Sequence, residues 1–285
     1  MDNIRDIKTR IKSVREIQKI TRAMKMVATA KYKKSHRRLQ ETKSYISEVE
    51  TLLLRVKKEV VLRYNPYCCD NAVAEKNLVV LVTADKGLCG GFNSNLIKTV
   101  LRSSEKFDLY VIGKKGRAFF IKHDEINLVG DITGVFGTLD FKSSRKIVGE
   151  IKKGFLESKY RSVKVVYTGF ESMGRQPITE QQILPMTPLI ETIEQDVPAK
   201  RMIFEDSYET VFNNLLEHYL ELRFFKVLLE SELSEHIIRM NAMEAATTNA
   251  SELIDGLVLA YNRARQSVIT KEILEIVGGA EALNK

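Results

Sequence analysis

The chain has 285 residues and a mass of 32.5 kDa, and it is 44% hydrophobic and 29% charged, a composition typical of soluble globular proteins. This balance excludes collagen-like and disordered chains. No run approaches the roughly 18 apolar residues that would span a bilayer, and the charged N-terminus lacks the apolar core of a secretory signal. We therefore expect a protein that stays inside the cell. The cysteines, Cys68, Cys69 and Cys89, form neither a disulfide framework nor a metal-binding spacing.

The net charge of +8 is unevenly distributed. Residues 1–38 carry thirteen Lys and Arg against three acids, whereas residues 207–285 carry seven against twelve, and the middle is close to neutral. A basic end alone would indicate nucleic acid or acidic lipid as a partner. A basic end together with an acidic end predicts that the two ends lie side by side.

Both ends are free of proline, and each predicts one long helix. From Asn3 to about Arg63 the apolar residues recur at three- and four-residue spacing, with two consecutive steps of three that interrupt a strict heptad. The predicted apolar stripe consists of Ile4, Ile7, Ile11, Val14, Ile17, Ile20, Met24 and Val27, and it resumes at Val49, Leu52, Leu53 and Val56.

The second long helix is predicted from about Ser207 to Val277, with one internal glycine, Gly256. It would be on the order of 100 Å long, more than one globular domain needs, so we expect it to pair with the N-terminal helix. Its apolar stripe is predicted at Leu222, Leu229, Leu233, Met240, Met243, Leu253, Leu257, Ala260 and Ala264. Its glutamates are predicted to form a solvated face, namely Glu230, Glu232, Glu235, Glu244 and Glu252.

The middle of the chain alternates short β-branched runs with helical segments, which predicts an α/β fold with a mainly parallel sheet. The predicted strands are 78–83, 109–113 and 163–170, and the predicted helices are 95–105, 116–122 and 143–157. The proline-rich stretch 175–198 is predicted to be an irregular connection, followed by a short strand at 202–206. The predicted domains are an N-terminal coiled-coil helix (1–63), a central α/β domain with linkers (64–200) and a C-terminal coiled-coil helix (201–285).

The loop DKGLCGGFN at 85–93 follows a strand and precedes a helix, where a phosphate-binding loop would lie. Its glycines do not match GxGxxG, and GxxxxGK[ST] is absent, so we predict a tight turn with a buried Cys89 and no nucleotide. The two lysines of the GKKG sequence at 113–116 are predicted to lie on a solvated turn. We predict no cofactor.

Catalytic and metal sites are not predicted. The four histidines, His36, His123, His218 and His236, have no partner at a ligand spacing, and Cys89 has no histidine base nearby in the sequence. A basic coiled-coil protein that binds nucleic acid is the alternative function, although stacking aromatics are sparse in the basic helix. A small dinucleotide-binding enzyme is a second rival, and it would need measurable cofactor binding.

Three segments resemble the gamma subunit of F-type ATP synthases. They are the opening helix at 10–34, the glycine loop at 85–93 and the C-terminal block at 264–283, and the segment 234–250 is similar too. The sequence shows neither the cysteine-bearing insertion typical of chloroplast members nor an organelle presequence, so we expect a protein of the bacterial type. This likeness runs over the whole chain.

The resemblance implies a non-catalytic rotor shaft. Its two long helices would form an antiparallel coiled coil inside a ring of three alpha and three beta subunits, with a Rossmann-like α/β domain outside the ring. The shaft would couple ion-driven rotation of the membrane c-ring to ATP synthesis or hydrolysis at the beta subunits. The resemblance also implies an epsilon-subunit partner and a peripheral location on the cytoplasmic face of the plasma membrane, with neither membrane insertion nor nucleic acid binding.

The resemblance also indicates two contact regions. Arg265 and Gln266 would contact a beta subunit, together with Met24 and Lys25 of the partner helix in the same contact zone. The foot of the shaft would contact the rotor ring and the epsilon subunit through Met202, Ile203, Phe204 and Glu205.

Overall fold

A computed structural model describes residues 4–57, 65–69, 71–103, 105–123, 125–186 and 205–283, with side chains up to residue 277. The chain divides into two compact units. The helical unit contains Met1–Thr29 and Arg239–Lys285, and the α/β unit contains Ala30–Ile238. The three-part division into domains expected from the sequence stays a prediction.

Two long helices bracket the chain, α1 at Ile4–Lys57 and the C-terminal helix, here α5, at Tyr208–Leu283. In the helical unit the hydroxyl groups of Thr21 and Thr247 lie 2.8 Å apart, and the Lys25 ammonium donates to Glu244 at 2.7 Å. The residue numbers of the contacting positions therefore increase along α1 as they decrease along α5. The predicted antiparallel pairing of the two helices is confirmed.

The core of this helical pair follows an unbroken heptad. On each helix the positions that pack together are spaced alternately by three and four residues, and all of them are buried or half-buried. On α1 these positions are Ile4, Ile7, Ile11, Val14, Gln18, Thr21, Lys25 and Ala28. On α5 they are Met240, Met243, Thr247, Ala250, Ile254, Leu257, Tyr261 and Ala264.

The predicted α1 stripe is wrong at three positions after Val14, whereas its later part is confirmed by the burial of Val49, Leu53 and Val56. Ile17, Ile20 and Val27 are 53%, 57% and 57% exposed, because the heptad continues through polar Gln18 and Thr21 instead. The predicted interruption of the heptad is therefore absent from this part of α1.

In the α/β unit, five strands among the described residues form one sheet in the order β3-β2-β1-β4-β5. The strands are β1 (Asn77–Val82), β2 (Phe107–Ile112), β3 (Leu128–Ile132), β4 (Val163–Thr168) and β5 (Ile178–Leu184). The first four are mutually parallel where they pair, and β5 is antiparallel to β4. The predicted mainly parallel sheet is confirmed.

Helices cover both faces of this sheet. They are α2 (Phe92–Leu101), α3 (Lys114–Phe120) and α4 (Phe141–Leu156). Side chains alternate along β1, so that Val80 joins a core formed with α4, α5 and α1, while Leu81 joins a separate core formed with α2 and α3. The sheet is thus buried on both faces, which explains the continuous apolar runs of its central strands.

Two strands were not expected. Strand β5 lies inside the stretch predicted to be irregular, and Pro177 and Pro185 stand beside its ends without interrupting it. Strand β3 is half-exposed at the opposite edge and contains Gly130, where a side chain would overlap the ring of Tyr110. Edge strands have one partner and a mixed composition, so they lack the apolar run that marks the central strands.

The glutamates of α5 also differ from expectation. Glu244 and Glu252 are exposed, whereas Glu230, Glu232 and Glu235 are buried. In the α/β unit this part of α5 is apolar on several sides, because both α1 and the sheet pack against it. The buried acids have polar partners: Glu232, for example, accepts from the Ser35 hydroxyl at 3.0 Å and from the Gly137 amide at 3.1 Å.

Candidate functional site

Met24 and Lys25 lie on α1 in the helical unit, and both are half-buried. Lys25 occupies a heptad core position, and its ammonium pairs with Glu244 of α5 at 2.7 Å. The Lys25 side chain is still 37% exposed, because its long stem lets the charged end reach the edge of the core. This geometry leaves one side of the ion pair open to solvent.

Arg265 and Gln266 are exposed on α5. They follow Ala264, the last heptad position that has an α1 residue to face, and the Gln266 carbonyl accepts from the Thr270 hydroxyl at 2.9 Å. Arg265 lies twenty-one residues beyond Glu244, about 30 Å along the helix axis. The structure therefore does not bring the two pairs together in one zone, and they form separate candidate contact points.

Beyond Ala264, α5 has no α1 partner among the described residues. From Arg265 to Val277 every side chain is exposed, including large apolar ones such as Ile276, which is 72% exposed. The exposed apolar residues of this segment are Val268, Ile269, Ile273, Leu274, Ile276 and Val277. An apolar surface of this kind on a helix indicates a contact site for another chain.

Sequence reasoning missed a second exposed apolar surface. Ile17, Ile20 and Val27 line the outer flank of α1 beside Met24, although the apolar spacing of the sequence predicts them in the core. A strict heptad on α1 would have predicted this exposure. Such a heptad requires Gln18 and Thr21, both polar, as core positions, and these positions then match the alternating three- and four-residue spacing on α5.

The predicted foot of the shaft is described only at its end. Met202, Ile203 and Phe204 lie outside the described residues, as does most of the strand predicted at 202–206. Glu205 is exposed and precedes α5, as does Asp206.

Thr83, directly after β1, packs tightly against the segment at 113–116. Thr83 is fully buried, and its hydroxyl donates to the Ile112 carbonyl at 2.9 Å and accepts from the Gly116 amide at 3.0 Å. Gly113 has φ +103°, and a side chain there would overlap the Thr83 carbonyl group. Lys114 and Lys115 are exposed to solvent, as predicted, but they begin α3 and do not lie in a turn. The flanking Gly113 and Gly116 are buried.

Cys89 is buried, as expected, and its sulfur lies 3.3 Å from the Asn93 amide nitrogen. Within the described residues, no group of three or more His, Cys, Asp or Glu side chains is placed to hold a metal ion. In the same part of the chain, no helix has an apolar stretch sufficient to cross a membrane.

The sequence matches the family model of ATP synthase over residues 3–283. An ATP synthase gamma chain from Halothermothrix orenii is 39% identical over 287 residues, covering 99% of this chain and 100% of the relative. One from Chloroherpeton thalassium is 36% identical, covering 100% of this chain and 99% of the relative. These comparisons give no support to the nucleic-acid-binding alternative.

Solved structures share the fold. A chain in the mitochondrial ATP synthase of Euglena gracilis aligns with a TM-score of 0.69 at 19% identity, covering 98% of this chain and 94% of that one. A chain from the central stalk and c-ring of the Tetrahymena thermophila mitochondrial ATP synthase has a TM-score of 0.59 at 26% identity, with coverage of 80% and 99%. Sequence and fold agree over essentially the full length: the chain belongs to the ATP synthase gamma chain family.

Proposed function

We propose that the chain is the central rotor shaft of an F-type ATP synthase. It turns inside a ring of three alpha and three beta subunits and is fixed to the membrane c-ring and the epsilon subunit. In this role it couples ion-driven rotation to ATP synthesis or hydrolysis at the beta subunits and makes or breaks no bond itself. The proposed location is peripheral, on the cytoplasmic face of a bacterial plasma membrane.

The observation that carries this proposal is the end of α5. From Arg265 to Val277 a single helix exposes apolar side chains on several sides, and none of the described α1 residues lies opposite it. A partner that packs on one side of the helix would leave part of this apolar surface exposed to water. A collar, meaning a ring of subunits that surrounds the helix, would cover all of it. Apolar contacts are also non-directional, so they allow the helix to turn within such a collar.

The coupling of rotation to catalysis follows from the asymmetry of the shaft. A shaft that presents different side chains in different directions stabilises a different conformation in each of three otherwise equivalent ring subunits. Directional contacts are needed to select one of the three positions, and Arg265 and Gln266 supply a guanidinium fork and an amide at the start of the unpaired segment. Charge-assisted hydrogen bonds contribute roughly 1.5–3 kcal/mol each, enough to favour one position without blocking the next.

The test replaces Arg265 and Gln266 by Ala in the assembled complex. We expect lower ATPase turnover and weaker ion pumping, while the isolated chain keeps its thermal stability, because both side chains are exposed. The matched control replaces Asn262 and Arg263 by Ala, which removes the same two chemical groups from exposed positions one turn earlier on α5. Normal turnover and pumping in the Arg265–Gln266 variant, or an equal loss in both variants, would argue against the assignment.

A further inference from the structure

The carboxylate of Asp85 lies where the loops that follow β1, β2 and β3 meet. One of its oxygens accepts from the Lys114 amide at 3.1 Å and from the Gly134 amide at 2.9 Å. The other oxygen is 3.3 Å from the Phe136 amide. Asp85 belongs to the loop after β1, Lys114 follows β2, and Gly134 and Phe136 follow β3. One side chain therefore joins three loops through backbone amides.

This position has a specific meaning in a parallel α/β sheet. Such sheets bind ligands beyond the carboxyl ends of their strands, where loop amides and helix N-termini converge on a phosphate group. Three convergent backbone N–H groups from two loops are the kind of donor set that holds an anion. Here the anion is a carboxylate supplied by the chain itself.

Neighbouring contacts also connect the loops at the carboxyl ends of β1 and β2. The Thr83 hydroxyl bridges the loops after β1 and β2, and the Gly113 backbone lies directly against the Thr83 carbonyl. The Asn93 side chain accepts from the Ala84 amide at 2.9 Å and so ties the start of α2 to the end of β1. The protein's own groups therefore occupy backbone donors at the edge of the sheet where parallel α/β folds commonly bind phosphate groups.

We propose that Asp85 is a built-in anion that fills the phosphate-binding position of the sheet, and that removing its carboxylate creates a binding site for small oxyanions. The α/β unit is then closed to nucleotides by an internal ligand, and the three loops depend on that ligand for their arrangement. This inference concerns the α/β unit alone and is independent of the rotor function.

The experiment uses the purified full-length chain with Asp85→Ala, with formate and inorganic phosphate as probes. We expect a melting temperature several degrees below that of the wild type, because three amides lose their acceptor. Either probe should restore it along a saturable curve with a half-point in the millimolar range. The wild type should show only the gradual, unsaturated rise that phosphate gives any protein.

The matched control is Asp140→Ala. Asp140 caps α4 by accepting from the Ser143 amide at 2.8 Å and is exposed, so water replaces it when it is removed. This variant should also lose stability, but neither formate nor phosphate should restore it saturably. Equal responses of the two variants to the probes, or an Asp85→Ala chain as stable as the wild type, would overturn the proposal.

Asp85→Asn provides a second measurement if the alanine variant does not fold. The amide keeps the size of the side chain but directs an NH₂ group at one of the donors, so hydrogen exchange at Lys114, Gly134 or Phe136 should accelerate. We expect no formate binding to this variant, because the site is still filled. Unchanged exchange at all three amides would contradict the role given to the carboxylate.

Discussion

Thr21 and Thr247 place their hydroxyl groups 2.8 Å apart at facing core positions of the helical pair. Each hydroxyl also lies within hydrogen-bond distance of a carbonyl on its own helix, Gln18 at 3.0 Å and Met243 at 2.7 Å respectively. A polar layer in an otherwise largely apolar coiled coil favours one alignment of the helices over shifted ones, at some cost in stability.

We predict that Thr21→Val and Thr247→Val are non-additive. Each single change removes the hydrogen bond between the two hydroxyls and places a methyl group against the remaining one, so it should lower the free energy of unfolding by about 1 kcal/mol. The double change replaces both hydroxyls by methyl groups of similar shape and should be close to neutral. A double-mutant cycle from denaturant unfolding measures the coupling. Strict additivity would show that the two hydroxyls do not interact.

The heptad alignment predicts which positions face each other away from this layer. Counting outward from Thr21 and Thr247 places Val14 opposite Ile254. Val14→Cys with Ile254→Cys should therefore form a disulfide readily under mild oxidation, whereas Ile17→Cys with Ile254→Cys should not, because Ile17 lies on the outer flank. Mobility on a non-reducing gel separates the cross-linked form. Faster cross-linking of the Ile17 pair would contradict the alignment.

Lys226 is expected to oppose folding at neutral pH. Burial lowers its pKa more than the attraction of Glu230, at 3.8 Å, raises it. The folded-state pKa is thus below the ordinary value of 10.5, so the charged form is the costly one. The destabilisation by charged Lys226 is therefore largest below the folded-state pKa, and it disappears as the pH rises through that pKa to the ordinary value.

Lys226→Met should therefore raise the free energy of unfolding at pH 7, by up to about 1 kcal/mol, and the gain should shrink as the pH approaches 10.5. Glu230 keeps the Tyr167 hydroxyl at 3.2 Å and the Lys43 ammonium at 3.7 Å. The control is Lys43→Met, which removes a more exposed ammonium at a similar distance from Glu230 and should not stabilise the chain. Chemical denaturation over a pH series gives both curves.

Glu205→Lys tests the proposed foot of the shaft. If Glu205 contacts the rotor ring or the epsilon subunit, charge reversal should weaken the coupling of ATP hydrolysis to ion pumping while the ATPase activity of the detached catalytic part is unchanged. Glu209→Lys is the matched control, since Glu209 is exposed in the first turn of α5. Full assembly and coupling in the Glu205 variant would show that Glu205 does not take part in the proposed contact.

The sequence predicted the regular parts of the molecule and missed those set by tertiary contacts. Proline-free ends and apolar central strands indicated the paired helices and the parallel sheet, because these patterns arise from local periodicity. The core role of Gln18 could not be read from α1 alone, since it depends on facing the small side chain of Ala250. The burial of Glu232 likewise depends on partners far away in the chain, Ser35 and Gly137.

The candidate site was predicted less completely than the fold. The resemblance supplied Arg265 and Gln266, and both lie on an exposed helix as a contact site requires. It also grouped them with Lys25, although the helix alignment separates them by about 30 Å. Periodicity identifies which residues share a helix face, but the distance along the axis between residues of two helices requires their alignment.

The segment of α5 beyond Ala264 also bears on how the complex is put together. Val268, Ile269 and Thr270 are three consecutive β-branched residues, which favour helix less than unbranched ones, and Gly278 and Gly279 follow in the sequence. A helix of this length and composition gains little stability by itself and depends on packing. Before assembly the segment should therefore fray and be cut early by proteases. The segment then becomes ordered when the ring subunits close around it. The conformational entropy that the segment loses in that step lowers the affinity of the shaft for the ring.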